Sequence, residues 1–199
     1  RFFEGSNPDD IRNQNWLSNS HQDKYDLNLK YRINITKKQV LSIGAGYLNA
    51  LEVDNKETFD FNPITDQYSE FNELQSNKNR FLNTEIKAGV GYENNYEKGN
   101  FRVNLGSKWT QYELKSLYNQ ELFLNKKNEV LPDISLSNSF KFGKSTRLYI
   151  SYRYSGSIPS MNELLPYQDL SSTLSVRQGN PNLKPKLSNG VNLNFSNYD

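Results

Sequence analysis

The 199-residue chain has no cysteine, one histidine, one methionine and a net charge of only +2. It also has no apolar run longer than a few residues. Each shortage closes a class of function. Without cysteine there is no disulfide framework, thiolate metal site or cysteine nucleophile. Serine–histidine chemistry would have to use His21, no serine stands in a nucleophile context, and no carboxylate pair is singled out for glycoside chemistry. An enzyme is therefore not expected. Apolar runs this short rule out a membrane-crossing helix, which needs roughly 18 residues. The 24 Lys and Arg are interspersed with 22 Asp and Glu, which leaves no basic footprint for nucleic acid. Mean hydropathy is −0.85, and 35% apolar residues is low for a globular domain. Chains this polar are often disordered, but 13% aromatic residues require a surface to bury them against.

Periodicity supplies that surface. Tyr25, Leu27, Leu29, Tyr31, Ile33 and Ile35 alternate strictly with Lys24, Asp26, Asn28, Lys30, Arg32 and Asn34, the mark of a strand with one apolar and one polar face. The pattern recurs and predicts strands near 23–36, 39–53, 81–93, 100–114, 131–143, 146–155 and 187–197. The fold class is all-β, an antiparallel up-and-down meander of about seven long strands. Runs this long exceed the 5–6 residues usual in soluble domains and approach the roughly 9–11 that cross a bilayer. Connections alternate between short turns (36–39, 93–100, 143–145) and long polar stretches (54–80, 116–129, 155–186), the asymmetry of a partial transmembrane β-barrel wall. Residues 11–17 alternate poorly and read as part of an external loop.

Such a wall places Tyr25, Trp109, Tyr112, Tyr152 and Tyr154 in an outer aromatic girdle and Tyr92, Phe101, Phe140 and Phe142 in a girdle at the turn end. It would have no core to fill. The opposite face carries Lys24, Asp26, Lys30, Arg32, Glu85, Lys87, Arg102, Lys108, Lys141 and Arg153. Ser42, Gly44, Gly46, Gly89, Gly91 and Gly106 share that face, either for close approach or to relieve sheet twist.

The stretch Ser-Gly-Ser-Ile-Pro-Ser-Met-Asn-Glu-Leu-Leu-Pro-Tyr-Gln-Asp from Ser155, followed by Gly179-Asn180-Pro181-Asn182-Leu183-Lys184-Pro185 and a strand, resembles the barrel of TonB-dependent outer-membrane receptors, of the outer membrane protein beta-barrel family. The hairpin from Leu131 to Ser155 is similar to the one that precedes these elements there. The resemblance is strongest over 131–196, and Lys186 departs from it, standing where the family usually has glutamate. It implies a place in the bacterial outer membrane, lipid around the wall, and import of a scarce solute such as a ferric siderophore, cobalamin or a glycan. It also implies a TonB-type energy-transducing partner and no cofactor. No plug-like segment is visible, so the chain reads as an internal part of such a barrel.

In the Gly179–Pro185 element, Gly179 and Asn180 are expected to take left-handed conformations, while Pro181 and Pro185 fix φ and steer the chain into the next strand. Candidate solute contacts are Tyr68, Phe71, Tyr118, Tyr167 and Gln168, as loop aromatics and amides that stack on sugars or chelates. Asp54, Glu57, Asp60, Asp66 and Glu70 make the 54–80 stretch acidic, a solvated loop without the spacing of a calcium site. Seven antiparallel strands cannot close an up-and-down barrel, and their open edges invite self-association of this segment. The competing reading is a soluble β-sandwich that binds carbohydrate or protein.

Overall fold

The computed structural model describes residues 13–143, 145–169 and 177–197. In chain order its strands are β1 (Gln14–Asn34), β2 (Gln39–Asn62), β3 (Gln67–Phe71), β4 (Asn77–Tyr96), β5 (Gly99–Tyr118), β6 (Glu121–Phe142) and β7 (Thr146–Ser157), then β8 (Gln168–Asp169), β9 (Arg177–Gln178) and β10 (Lys186–Asn197). A 3₁₀ turn (Glu73–Gln75) precedes β4, and a short helix α1 (Met161–Leu164) follows β7. One antiparallel sheet runs in the order β1-β2-β4-β5-β6-β7-β10, with β3 folded back on the end of β2. The meander is thus a half-barrel wall. A two-sheet sandwich is not present among the described residues.

Alternation explains the wall. Paired residues share a face, so register converts sequence periodicity into rows across the sheet. One row reads Tyr31, Ile43, Val90, Leu105, Ile134, Tyr154, and the row toward the far end reads Leu27, Tyr47, Ile86, Trp109, Val130. Toward the turns the face continues through Ile33, Leu41, Tyr92, Val103, Leu136, Tyr152 and Val191. Tyr31 is 70% exposed and Val191 75%. An apolar face left this bare is stable only against an apolar medium. Its extent along each strand, for example Phe101 to Trp109 on β5, matches the roughly 9–11 residues that cross a bilayer.

The turn end keeps its short connections, Ile35–Lys38 and Glu97–Lys98 closing two of the hairpins, although 93–96 and 99–100 are strand rather than turn. Thr36 fixes the first by accepting the amides of Lys38 and Gln39 on Oγ1, at 3.2 and 3.0 Å. Gly143, at φ +71°, supplies the left-handed residue after β6.

The far end differs from expectation. The stretches 54–80 and 116–129 are not loops. β2 runs to Asn62, β4 begins at Asn77, and β5 and β6 continue to a two-residue turn at Asn119–Gln120, both at positive φ (48° and 62°), the geometry that favours tight hairpins. β1 starts at Gln14, so 14–17 are strand, and residues 11–12 lie outside the described residues. Main strands of 20 to 24 residues are about 65–80 Å long at the usual rise, twice what a bilayer needs.

Three girdle assignments also change. Tyr152 lies in the same row as Tyr92 near the turn end, and Tyr154 sits mid-band. Tyr112 is on the opposite face and fully buried. That burial reveals a core the sequence did not suggest. Phe81, Tyr112 and Leu114 cluster with Met161, Leu164, Leu165 and Tyr167, flanked by Tyr118, Phe123, Ile158 and Leu183. The cause is a switch of phase. On β5 the apolar residues occupy odd positions from Phe101 to Trp109 and even positions at Tyr112 and Leu114, while the register to β4 and β6 runs on without a bulge.

Candidate functional site

Between β7 and β10, residues 158–169 and 177–185 lie back over the inner face of β4, β5 and β6, on their far halves. They are built as a strap. Ser160 opens α1, and its backbone N–H and Oγ–H both donate to Glu163 Oε2 at 2.9 Å, which ties the Glu163 carboxylate back to the helix start. These bonds hold the Glu163 carboxyl below its usual range, with the charge of Lys186 adding to the effect. The next residues deliver the apolar payload. Met161, Leu164, Leu165 and Tyr167 cover Phe81, Tyr112 and Leu114; each large side chain so buried contributes about 1.5–3 kcal/mol over an exposed one.

Polar contacts fix the register of this packing. Tyr167 stacks on Tyr118 with ring centroids 4.3 Å apart and planes 13° apart. Its hydroxyl accepts from Asn79 Nδ2 at 2.8 Å, and Asn79 Oδ1 accepts from Ser116 Oγ at 2.7 Å. Asn79 and Ser116 face each other across β4 and β5, so the strap is bonded to a pair the sheet has already positioned. Nearby, Asn83 Oδ1, Thr110 Oγ1 and Tyr112 Oη are buried without a hydrogen-bond partner among the described residues.

The Gly179–Pro185 element is the return fastening. A Cβ on Gly179 would stand 2.5 Å from the Leu165 carbonyl oxygen, 2.7 Å from its nitrogen and 2.9 Å from the Asn162 oxygen, so glycine is required for close approach. Left-handed conformations at Gly179 and Asn180 are not found; the positive-φ residues are Asp66, Asn119, Gln120 and Gly143 among the described residues. Asn180 instead donates its amide to Glu163 O at 2.7 Å, and its side chain accepts the Asn182 amide at 2.9 Å. Leu183 N–H bonds to Asn180 O at 3.1 Å, which closes a turn around Pro181 and Asn182. The turn is then pinned to β6: Asn125 Nδ2 donates to Pro181 O at 2.8 Å, and Lys127 Nζ donates to Pro181 O and Leu183 O at 2.9 and 3.3 Å. Leu183 packs on the core. Lys184 and Pro185 lead into β10, which starts at Lys186 opposite Ser157.

The structure unites two of the five candidate contacts and separates the rest. Tyr118 and Tyr167 form the stack described above. Gln168 is exposed beside them in sequence, bonded to Gln178 across the β8–β9 ladder at 3.2 Å. Tyr68 and Phe71 belong to a second cluster at the tip, meeting Phe61 and Phe59 edge-on at 5.4 and 5.7 Å. The acidic residues of 54–80 lie mostly on strands. Glu57 pairs with Lys78 at 3.4 Å, and Asp60 accepts from Gln14 and Asn72. Sequence reasoning missed Asn79, Asn125 and Lys127, polar residues whose partners are more than 50 positions away in the chain. The signal it could have used is Phe81, Leu114 and Leu131, apolar residues out of phase with their own strands.

Below the strap the polar face is open and charged. Arg32 and Arg102 bracket Glu93 at 3.6 and 3.3 Å, and Arg153 meets Asp133 at 3.2 Å. Gly44, Gly89 and Gly106 stand side by side in register and floor a trough of about 270 Å³. Against known proteins, the family model described as outer membrane protein beta-barrel family matches residues 1–199. No curated protein and no solved structure matches.

Proposed function

The chain belongs to the outer membrane protein beta-barrel family, and from that membership we propose that it is the wall and inward strap of a receptor that imports a scarce solute across the bacterial outer membrane. Outer-membrane lipid covers the bare apolar face, and the polar face lines the lumen. The solute is a ferric siderophore, cobalamin or glycan, and a TonB-type partner supplies energy through parts of the natural protein other than this wall. The observation that carries the reading is the strap. A passive pore needs an unobstructed lumen, whereas here residues 158–169 are fastened over the lumenal face by the Gly179–Pro185 element, where a solute would have to be met and released.

Exposed groups at the far end, Gln168, Tyr68 and Phe71, make first contact with the solute, while Tyr118 and Tyr167 hold the strap in place. Topology supports a larger barrel. With seven strands in one antiparallel path, β1 and β10 run the same way, so antiparallel closure takes an odd number of further strands. A second copy standing the same way up in the membrane presents edges of the same direction and does not meet that need.

The test is uptake in the native host. Cells lacking the gene, and the same cells complemented, are given labelled cobalamin, ferric siderophores and oligosaccharides, with and without a protonophore. The expected result is that uptake of one class falls to background in the deletion strain and in poisoned complemented cells. Uptake that is unchanged for every class, or that persists without the proton gradient, overturns the reading.

A further inference from the structure

Beside the strap's core, Asn83 Oδ1, Thr110 Oγ1 and Tyr112 Oη are closed off from solvent with no hydrogen-bond partner among the described residues. Thr110 and Tyr112 are fully buried. The three belong to one patch. Asn83 stands directly opposite Tyr112, and Thr110 lies between Glu85 on β4 and Glu129 on β6, so register gathers them in two adjacent rows of the inner face. Asn83 donates its amide to Glu85 Oε1 at 3.4 Å, which leaves its Oδ1 as an acceptor. Burial and the nearby Glu129 carboxylate push the Tyr112 hydroxyl above its usual range, so it keeps its proton and remains a donor. Buried polar groups are almost always paired, and an orphan left in place lowers stability. Several orphans in one patch mark a place where a polar group from outside belongs.

We propose that Asn83, Thr110 and Tyr112 form a subsite for the hydroxyl groups of a neutral oligosaccharide, and that the strap is its cover. The inference deepens the receptor reading by naming the solute class, and rests on it for delivery of the solute. Charge around the patch argues for a neutral ligand. Glu85 and Glu129 flank Thr110, while Lys87 and Lys127 stand in the adjoining rows, so neither an anion nor a cation meets a field of one sign. A hydroxyl both donates and accepts, as this set requires: Asn83 Oδ1 accepts, the Tyr112 hydroxyl donates, and Thr110 does either. Met161, Leu164, Leu165 and Tyr167 close over Tyr112. Lys127, opposite Tyr112 on β6, holds the strap by Pro181 O and Leu183 O. Solute therefore enters when that fastening lifts, and the orphan atoms favour the filled state over the empty, covered one.

The test is calorimetric titration of the purified natural protein, in detergent micelles, with a panel of neutral gluco-, manno-, galacto- and fructo-oligosaccharides. At least one is expected to bind. Tyr112→Phe and Thr110→Val should each weaken that binding at least about tenfold, while the thermal unfolding midpoint stays level or rises because each removes an orphan. Gly179→Ala, which loosens the strap, should tighten binding at least about threefold by raising the open fraction. No binding across the panel, or unchanged affinity in any of the three variants, overturns the proposal. A lowered midpoint in Tyr112→Phe overturns it whatever the affinity, since the hydroxyl would then be bonded within the protein or to ordered water. The titration needs no energised cell, so oligosaccharide binding without uptake overturns only the receptor reading. Uptake of another class without oligosaccharide binding overturns only the subsite.

Discussion

The turn-end half and the far half of this wall are made of the same strands and bury opposite faces. Near the turns, the apolar residues of β4 and β5, such as Val90 and Leu105, are half exposed and look outward, while the lumenal side carries lysine and arginine over glycine. Beyond Trp109 the phase reverses, and Phe81, Tyr112 and Leu114 look into the lumen under the strap. The difference shows what each half is solvated by. The first is bare and suited to an apolar medium, the second is covered by the strap, so one continuous sheet answers two surroundings by shifting its apolar residues one position along the chain.

The sharpest way to break that contrast is to remove the same atoms from both halves. Leu114→Ala, in the protein-covered half, should cost about 2–5 kcal/mol because it leaves a cavity. Leu105→Ala, facing lipid, should cost about 1 kcal/mol or less because fluid chains fill the space. Equilibrium unfolding from lipid vesicles measures both, and equal losses would mean the two faces share one environment. Next comes the fastening: Gly179→Ala drives a Cβ into the Leu165 backbone and should cost about 1–3 kcal/mol, read as protease cleavage within 158–185 while the membrane band stays protected.

A smaller pair sharpens the polar side of the core. Tyr167→Phe loses the bond from Asn79 and should cost about 1 kcal/mol, whereas Tyr112→Phe removes an unpartnered hydroxyl and should be neutral or slightly stabilising. Thermal unfolding of the two variants decides it. The smallest effect is with pH. The Glu163 carboxyl is held below its ordinary value of 4.5 by Ser160, so its contribution is complete above that value and is lost as pH falls through the lower folded one. Strap protection against protease should therefore decline only in acid, and Glu163→Gln should flatten that decline; a loss beginning near neutral pH would assign it to another group.

The strictness of alternation decided how much of this was legible in the residues. Tyr25–Ile35 and Leu41–Tyr47 announce a one-sided sheet because each outward position is apolar and each inward one polar. Phe81 beside Leu82, and Leu114 close to Leu117, blur that period, since apolar residues then fall on both faces, and the far halves of the strands read as loops. The Gly179–Pro185 element was recognisable as a unit, but its physical role was not. Close approach to Leu165 is a property of two segments packed together, and no local pattern encodes it. Tyr118 and Tyr167 were visible as candidates one by one, yet their stack depends on a strap that crosses three strands.

The bond between Asn79 and Tyr167 spans 88 residues, whereas β4, β5 and β6 are joined to one another by two-residue turns. Closing a long loop costs chain entropy that a hairpin does not. Assembly therefore has an order written into it: β4, β5 and β6 zip by local steps and create the Asn79–Ser116 pair, and only then is there a seat for the strap. Until that moment Phe81 and Leu114 stand uncovered, so the inner face of the young wall is apolar where the finished one is sealed.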